Sequence, residues 1–319
     1  MTKGVLSFLW AVVMPLSGQE SVPPDLLAPL KLPGVPVATA ANGEMRGTVV
    51  LLGGSNAAEC QRYGWMELRL LASGEEDGDL RLRNLAWPAD TLFHHPRPRN
   101  FFGAVTPDYG EADGRERIEA DMIVCWFGQM ESLEGEGGLS SFVKAYDALL
   151  ERILTYTSQV VLVTPVPFED PLDLGIDVEK RNAALQSYAE AIGILGEERG
   201  IPVVDLGEGL RGKSGFTLDG GLLGEQGHQW VAEIMAEKLG WNQALPELHA
   251  YVRQAIQEKN EIWHRYWVPT NWAFLYGNRQ TQPSSRDHEN PQKRWFPAEV
   301  EEFREQAEEM EEEIWEEIR

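Results

Sequence analysis

Positive charge is scarce in this 319-residue chain, where 28 Lys and Arg stand against 51 Asp and Glu for a formal charge of -23. Such a surface repels phosphate backbones and anionic bilayers, so nucleic acid and acidic membranes are poor partners. The imbalance is concentrated: between Glu299 and Arg319, 11 Glu face two Arg. Cysteine is sparse as well. Cys60 and Cys125 are the whole complement, and neither lies in a CxxC or metal-ligand spacing, so two buried free thiols are expected, with pairing in an oxidising compartment as the alternative. At the exit of the first apolar strand, around Gly53 and Gly54, three glycine signatures are missing: the segment has no GK[ST] of a P-loop, no GxGxxG of a dinucleotide fold and no GxSxG elbow. No cofactor and no metal is expected.

Long apolar runs are also few. Lys3 precedes one from Val5 to Met14, followed by Pro15, Ser17 and Gly18; it is too short to span a bilayer and reads as a signal peptide over residues 1–18. A Pro-rich segment follows over 19–45. The expected location is secreted or periplasmic, with no membrane contact in the mature form.

From residue 46 strands and helices alternate. "RGTVVLLGG", "DLRLRNLAW", "ADMIVCWFG", "QVVLVTPV" and "IPVVDL" have strand character. "NAAECQRYGWMELRLLA" has helical spacing through Ala57, Cys60, Trp65, Leu68 and Leu71, and further helices are expected in "SSFVKAYDALLERILTY", "VEKRNAALQSYAEAIGILGEERG" and "GEQGHQWVAEIMAEKLG". The pattern predicts a three-layer α/β/α domain over 46–240, built on a mostly parallel five-stranded sheet. Residues 241–319 form a helical, aromatic-rich extension. Its last helix is expected after Pro297, with Val300, Phe303, Ala307, Met310 and Ile314 as a packing seam. That seam serves the chain's own domain first; docking of a protein partner is the second reading.

Ser55 closes "VVLLGGSN", a strand running through two glycines into a helix, where a hydroxyl and free backbone N–H groups can serve acyl chemistry. "LLGGSN", "RNLAWPADT", "WFGQMES" and "FTLDGGLLGEQGH" follow one another in the order of the four blocks of SGNH (GDSL-like) hydrolases, and over about residues 46 to 280 the chain resembles a secreted bacterial branch of them. The resemblance implies ester or acyl hydrolysis: a nucleophile at Ser55, an oxyanion donor at the Ala89 backbone N–H, and an Asn, Asp and His to complete the machinery. Those last three positions read Met130, Leu218 and Leu222. A thioether cannot donate a hydrogen bond, and neither leucine can orient or accept a proton.

The losses are large. An oxyanion donor is worth roughly 3 to 4 kcal/mol, and removing the base of such a triad costs on the order of a million-fold. Gln129 could replace the missing donor if its loop were re-aimed. His94 and His95, in the long loop after the second block, are the first substitutes for the base, and His228 is the second. The other reading of each is a polar loop or helix residue. His249, His264 and His288 are expected to pack or lie exposed, Glu131 and Ser132 to cap their loop, Glu169 and Asp170 to be solvated, and Trp87 and Trp126 to be wall or core. The sequence thus points to a secreted hydrolase-like protein with little or no esterase activity that keeps a cleft for a small-molecule or glycan ligand. The alternative is an active serine esterase in which Ser55 uses a relocated base.

Overall fold

The computed structural model describes residues 46–74, 79–93, 120–241, 243–245, 247, 249–275 and 278–318. The expectations for residues 1–45 and for His94 and His95 fall outside the described residues. Five parallel strands form one sheet: β1 (Arg46–Gly53), β2 (Asp79–Asn84), β3 (Met122–Trp126), β4 (Gln159–Val163) and β5 (Val203–Val204), in the order β2-β1-β3-β4-β5. This is the doubly wound order in which the winding reverses between β1 and β3, and ligands of such sheets sit beyond that point at the strand ends. Register makes the placement specific. Gly53 is the partner of Trp126, so the turn carrying Ser55 and the loop after β3 leave the sheet side by side.

Side-chain alternation splits the core into two layers. Val49 and Leu51 face one cluster, which holds buried residues of α1 (Ser55–Tyr63) and α2 (Trp65–Ala72). Val50 and Leu52 face the other, with Phe142, Tyr146 and Leu150 of α3 (Glu136–Ile153) and Tyr188 and Ile192 of α4 (Val178–Arg199). Helix α5 (Glu225–Leu239) joins the first cluster through Val231, Ala232 and Met235. The expected α/β/α class is the observed one. Cys60 and Cys125 are free and buried in different clusters, and burial pushes both thiols far up.

Two expectations are corrected. The helix expected from Ala57 to Leu71 is two helices, because Gly64 takes φ 68 and ends α1 in a left-handed cap, its N–H meeting the Cys60 carbonyl at 3.1 Å. The last helix, α7 (Trp295–Ile318), begins two residues before Pro297. A proline in the first turn removes only an N–H that has no intrahelical partner there.

The C-terminal extension is part of the same compact unit. Helix α6 (His249–Trp267) and α7 lie along β2, the edge strand. The indole N–H groups of Trp315, Trp263 and Trp267 donate to the carbonyls of Leu80, Asn84 and Leu85 at 3.2, 3.0 and 3.0 Å. Leu80 and Asn84 are an even number of residues apart and present their carbonyls on one side of the strand. The edge is therefore capped by side chains. The α7 seam packs inward as well: Val300 and Ala307 are buried in one cluster, and Ile314 and Trp315 in the other.

Charges bind the same junction. Arg83 on β2 makes a bidentate pair with Glu311 of α7, and Lys259 of α6 bonds Glu67 of α2 and lies 3.5 Å from Glu311. Asn260 donates to the second Glu67 oxygen at 2.8 Å, and the Arg83 guanidinium lies 4.5 Å from the Trp263 ring centroid. Lys259 is 1% exposed and Glu67 2%. Two acids and two bases balance inside the core, as buried charge requires.

Candidate functional site

Ser55 is the first residue of α1 and is half-buried. The two glycines before it are needed for close approach. A Cβ on Gly53 would lie 2.4 Å from the Trp126 carbonyl oxygen, and one on Gly54 would lie 2.8 Å from that of Asp90. Asn84 holds the second wall, donating to the Ala57 carbonyl at 2.8 Å and accepting from the Ala86 N–H at 3.1 Å. The turn after β2 then brings Ala89, at φ 57, to donate its N–H to Ser55 Oγ at 2.9 Å. A non-glycine residue in the left-handed region carries a strain of about 1 to 2 kcal/mol.

The loop after β3 supplies no second donor to this hydroxyl. Met130 is 42% exposed and starts a 3-10 turn over Glu131–Glu134. Gln129 is spent on structure: its amide donates to the carbonyls of Val166 and Gly221 at 3.1 and 3.0 Å and accepts from Asn56 at 2.9 Å. The sequence-based idea of Gln129 as a replacement oxyanion donor is corrected, since both of its N–H bonds are directed at other loops. Glu131 caps this segment, accepting from the N–H groups of Leu92 and Gly128 at 2.9 and 3.0 Å. Burial pushes its carboxyl above the usual range, against the pull of those N–H groups. Ser132 donates to the Gln129 carbonyl at 2.7 Å.

The turn from Thr217 to Leu223 closes as an antiparallel bridge. Leu218 is 52% exposed and donates its N–H to the Leu222 carbonyl at 2.7 Å. Asp219 accepts from the N–H groups of Leu222 and Gly221 at 2.7 and 3.0 Å, and the first of these bonds does most to lower its carboxyl pKa. Asn56, the residue after the serine, holds this turn: it donates to the Gly221 carbonyl and accepts from the Leu223 N–H, each at 2.9 Å. Leu222 therefore lies between two residues anchored next to Ser55. Glu169, expected to be solvated, instead ties the approach to the turn by accepting from Gly215 N–H and from both donors of Thr217 at 2.6 to 2.7 Å. Asp170 accepts from the N–H groups of Leu174, Gly175 and Ile176 and shapes its own loop.

No described histidine meets Ser55. His228 is 2% exposed; its Nδ1 lies 3.6 Å from Cys60 Sγ and its ring stacks on Tyr63 at 4.5 Å. Burial lowers its pKa to about 3, so it is neutral across the physiological range. As a substitute base for Ser55 it is corrected to a core residue. His264 pairs with Gln61 at 2.6 Å, and His249 and His288 are exposed. Among the described residues no group of three metal-ligating side chains gathers.

The described residues around Ser55 enclose about 20 Å³, lined by Gly54, Asn56, Asp90, Trp126, Gln129 and Met130 among others. That is room for about one water molecule. Trp126 is a buried wall of this pocket and Trp87 belongs to the opposite core.

Asn56 is the residue that sequence reading passed over. It is 6% exposed, and its partners Gln129, Gly221 and Leu223 are far away in the chain, so only its place after the serine could have signalled it. Asn56→Ala is expected to cost about 3 kcal/mol, since it orphans the buried Leu223 N–H and the Gln129 oxygen. Urea unfolding monitored by circular dichroism would measure the loss.

No protein-family model and no curated protein matches the chain. Solved structures do. A lipase/acylhydrolase from Enterococcus faecalis is 15% identical with a TM-score of 0.43, the match covering 63% of this chain and 99% of that one. An acetylxylan esterase from Geobacillus stearothermophilus is 16% identical with a TM-score of 0.43, covering 61% and 96%. A protein from Slackia heliotrinireducens assigned to the SGNH hydrolases is 18% identical with a TM-score of 0.45, covering 61% and 100%.

Proposed function

We propose that the chain is a secreted or periplasmic hydrolase-like module in which ester hydrolysis is greatly reduced or lost, and which acts by binding a small molecule or glycan. One observation supports this most. The turn that Asn56 holds beside Ser55 carries Leu218 and Leu222, so among the described residues the group bonded to the serine hydroxyl is the backbone N–H of Ala89. One donor without a base leaves a hydroxyl that is a poor nucleophile at neutral pH. The buried ring of His228 and the committed amide of Gln129 add nothing to it.

The Ala89 contact also favours a second reading, an active serine esterase whose base comes from His94 or His95. Purified protein assayed with p-nitrophenyl acetate separates the two. The expected rate equals that of Ser55→Ala within error. Turnover that disappears in Ser55→Ala and in His94→Ala or His95→Ala would replace the binding module with the esterase.

A further inference from the structure

A concavity of about 480 Å³ runs between α1 and α6 and shares no residue with the Ser55 pocket. Volumes of this order hold small molecules. Among the described residues that line it none is apolar, so an alkyl or aryl body finds no partner there and a hydroxylated one does. The lining amides turn their nitrogens toward the protein. Gln254 donates to Glu258 and Gln257 to the Arg62 carbonyl, each at 2.9 Å, and Gln61 donates to Nδ1 of His264 at 2.6 Å. The carbonyl oxygens of these three side chains accept nothing among the described residues. Asn260 carries the pattern furthest: it is 3% exposed, its amide N–H groups go to the Gln61 carbonyl and to Glu67 at 3.2 and 2.8 Å, and its oxygen too accepts nothing among the described residues. A buried side chain with an open acceptor at a cavity wall is completed by a donor on a ligand.

Charge selects the same kind of occupant. Three carboxylates, Glu59, Glu258 and Glu261, stand against one guanidinium, Arg62, in the lining. Arg62 pairs with Glu59 at 3.7 Å, and Arg265 reaches Glu261 from outside the lining; both pairs are open to solvent, and such pairs hold their carboxylates weakly. Burial keeps the His264 ring toward its neutral form against the pull of Glu59. The groove is thus rich in acceptors and net negative. We propose that it binds a polyhydroxylated amine, an aminosugar, with the ammonium on the carboxylates and the hydroxyls on the amide oxygens. The site is separate from the Ser55 cleft and holds whether or not Ser55 hydrolyses esters.

The test is a ligand-detected NMR titration of the full chain with D-glucosamine, slightly below neutral pH so that the amine is charged. Saturable binding is expected, with a Kd of about 1 mM or tighter. D-Glucose, which lacks the charge, and putrescine, which lacks the hydroxyls, should each bind about tenfold more weakly or worse, and D-glucuronate more weakly still. Glu258→Gln combined with Glu261→Gln should weaken glucosamine binding about tenfold or more. Arg62→Gln should leave it as tight or tighter, and Ser55→Ala should not change it. Positions 62, 258 and 261 are exposed, so the thermal midpoint of these variants should match that of the parent. The proposal is overturned if glucosamine shows no saturation by about 100 mM, or if glucose, putrescine or glucuronate binds as tightly. Unchanged binding in the double Gln variant, or lost binding in Arg62→Gln, overturns it as well. Lost binding in Ser55→Ala would place the ligand in the serine cleft and overturn it too.

Discussion

Glu311→Ala lowers the unfolding free energy by about 3 to 5 kcal/mol, because it leaves Arg83 buried without its bidentate partner and strips Lys259 of one of two acids. For a chain of this size the thermal midpoint should fall on the order of 10 °C. The cost comes from stranded charge, which a paired replacement shows: Arg83→Met with Glu311→Leu should be less damaging than Glu311→Ala alone. Differential scanning calorimetry on the three proteins measures both differences. A loss below about 1 kcal/mol for Glu311→Ala would mean that water enters the junction and the network is not buried.

The same carboxylate sets a pH limit. Burial would raise the Glu311 pKa, but the opposing charges of Arg83 and Lys259 outweigh it and hold the group below the usual range. A folded pKa below the unfolded one gives stability that is present above the unfolded value, about 4.3, and is lost as pH falls through the folded value. The thermal midpoint should therefore drop below about pH 4, and Glu311→Gln should flatten that drop.

Leu218→Asp with Leu222→His is expected to raise p-nitrophenyl acetate hydrolysis by roughly 10² to 10⁴ over the parent chain, the usual contribution of a positioned general base. The turn is already clamped by Asn56 on both sides of Leu222, and Ala89 already donates to Ser55 Oγ, so what is missing is the pair of side chains. Met130 stays, and with it the absence of a side-chain oxyanion donor caps the gain. The increase should vanish when Ser55→Ala is added. No increase, in a variant that unfolds at the parent temperature, would mean that position 222 does not face the serine.

The five strands, the helices between them and the place of Ser55 at the exit of the first strand were legible because alternation and helical spacing are local signals; the order of the strands in the sheet was not. Gly64 was not, since a left-handed cap inside an apolar pattern looks like one more helical residue until its φ is known. The commitments of Gln129 and Glu169 were also hidden. Each side chain finds partners dozens of residues away, and its own neighbours in sequence say nothing of them. The junction was legible only in outline: the aromatics of α6 and the seam of α7 announced packing, but nothing local marked Lys259 or Glu67 as buried.

The indole caps on Leu80 and Asn84 of β2 also impose an order on synthesis. The strand is made early, yet the tryptophan that covers Leu80 follows it by 235 residues. Until that residue leaves the ribosome the open side of β2 offers uncapped carbonyls to any other nascent chain. A pause in translation between the segments encoding β2 and α7 should therefore raise the yield of aggregated chain more than an equal pause upstream of β2.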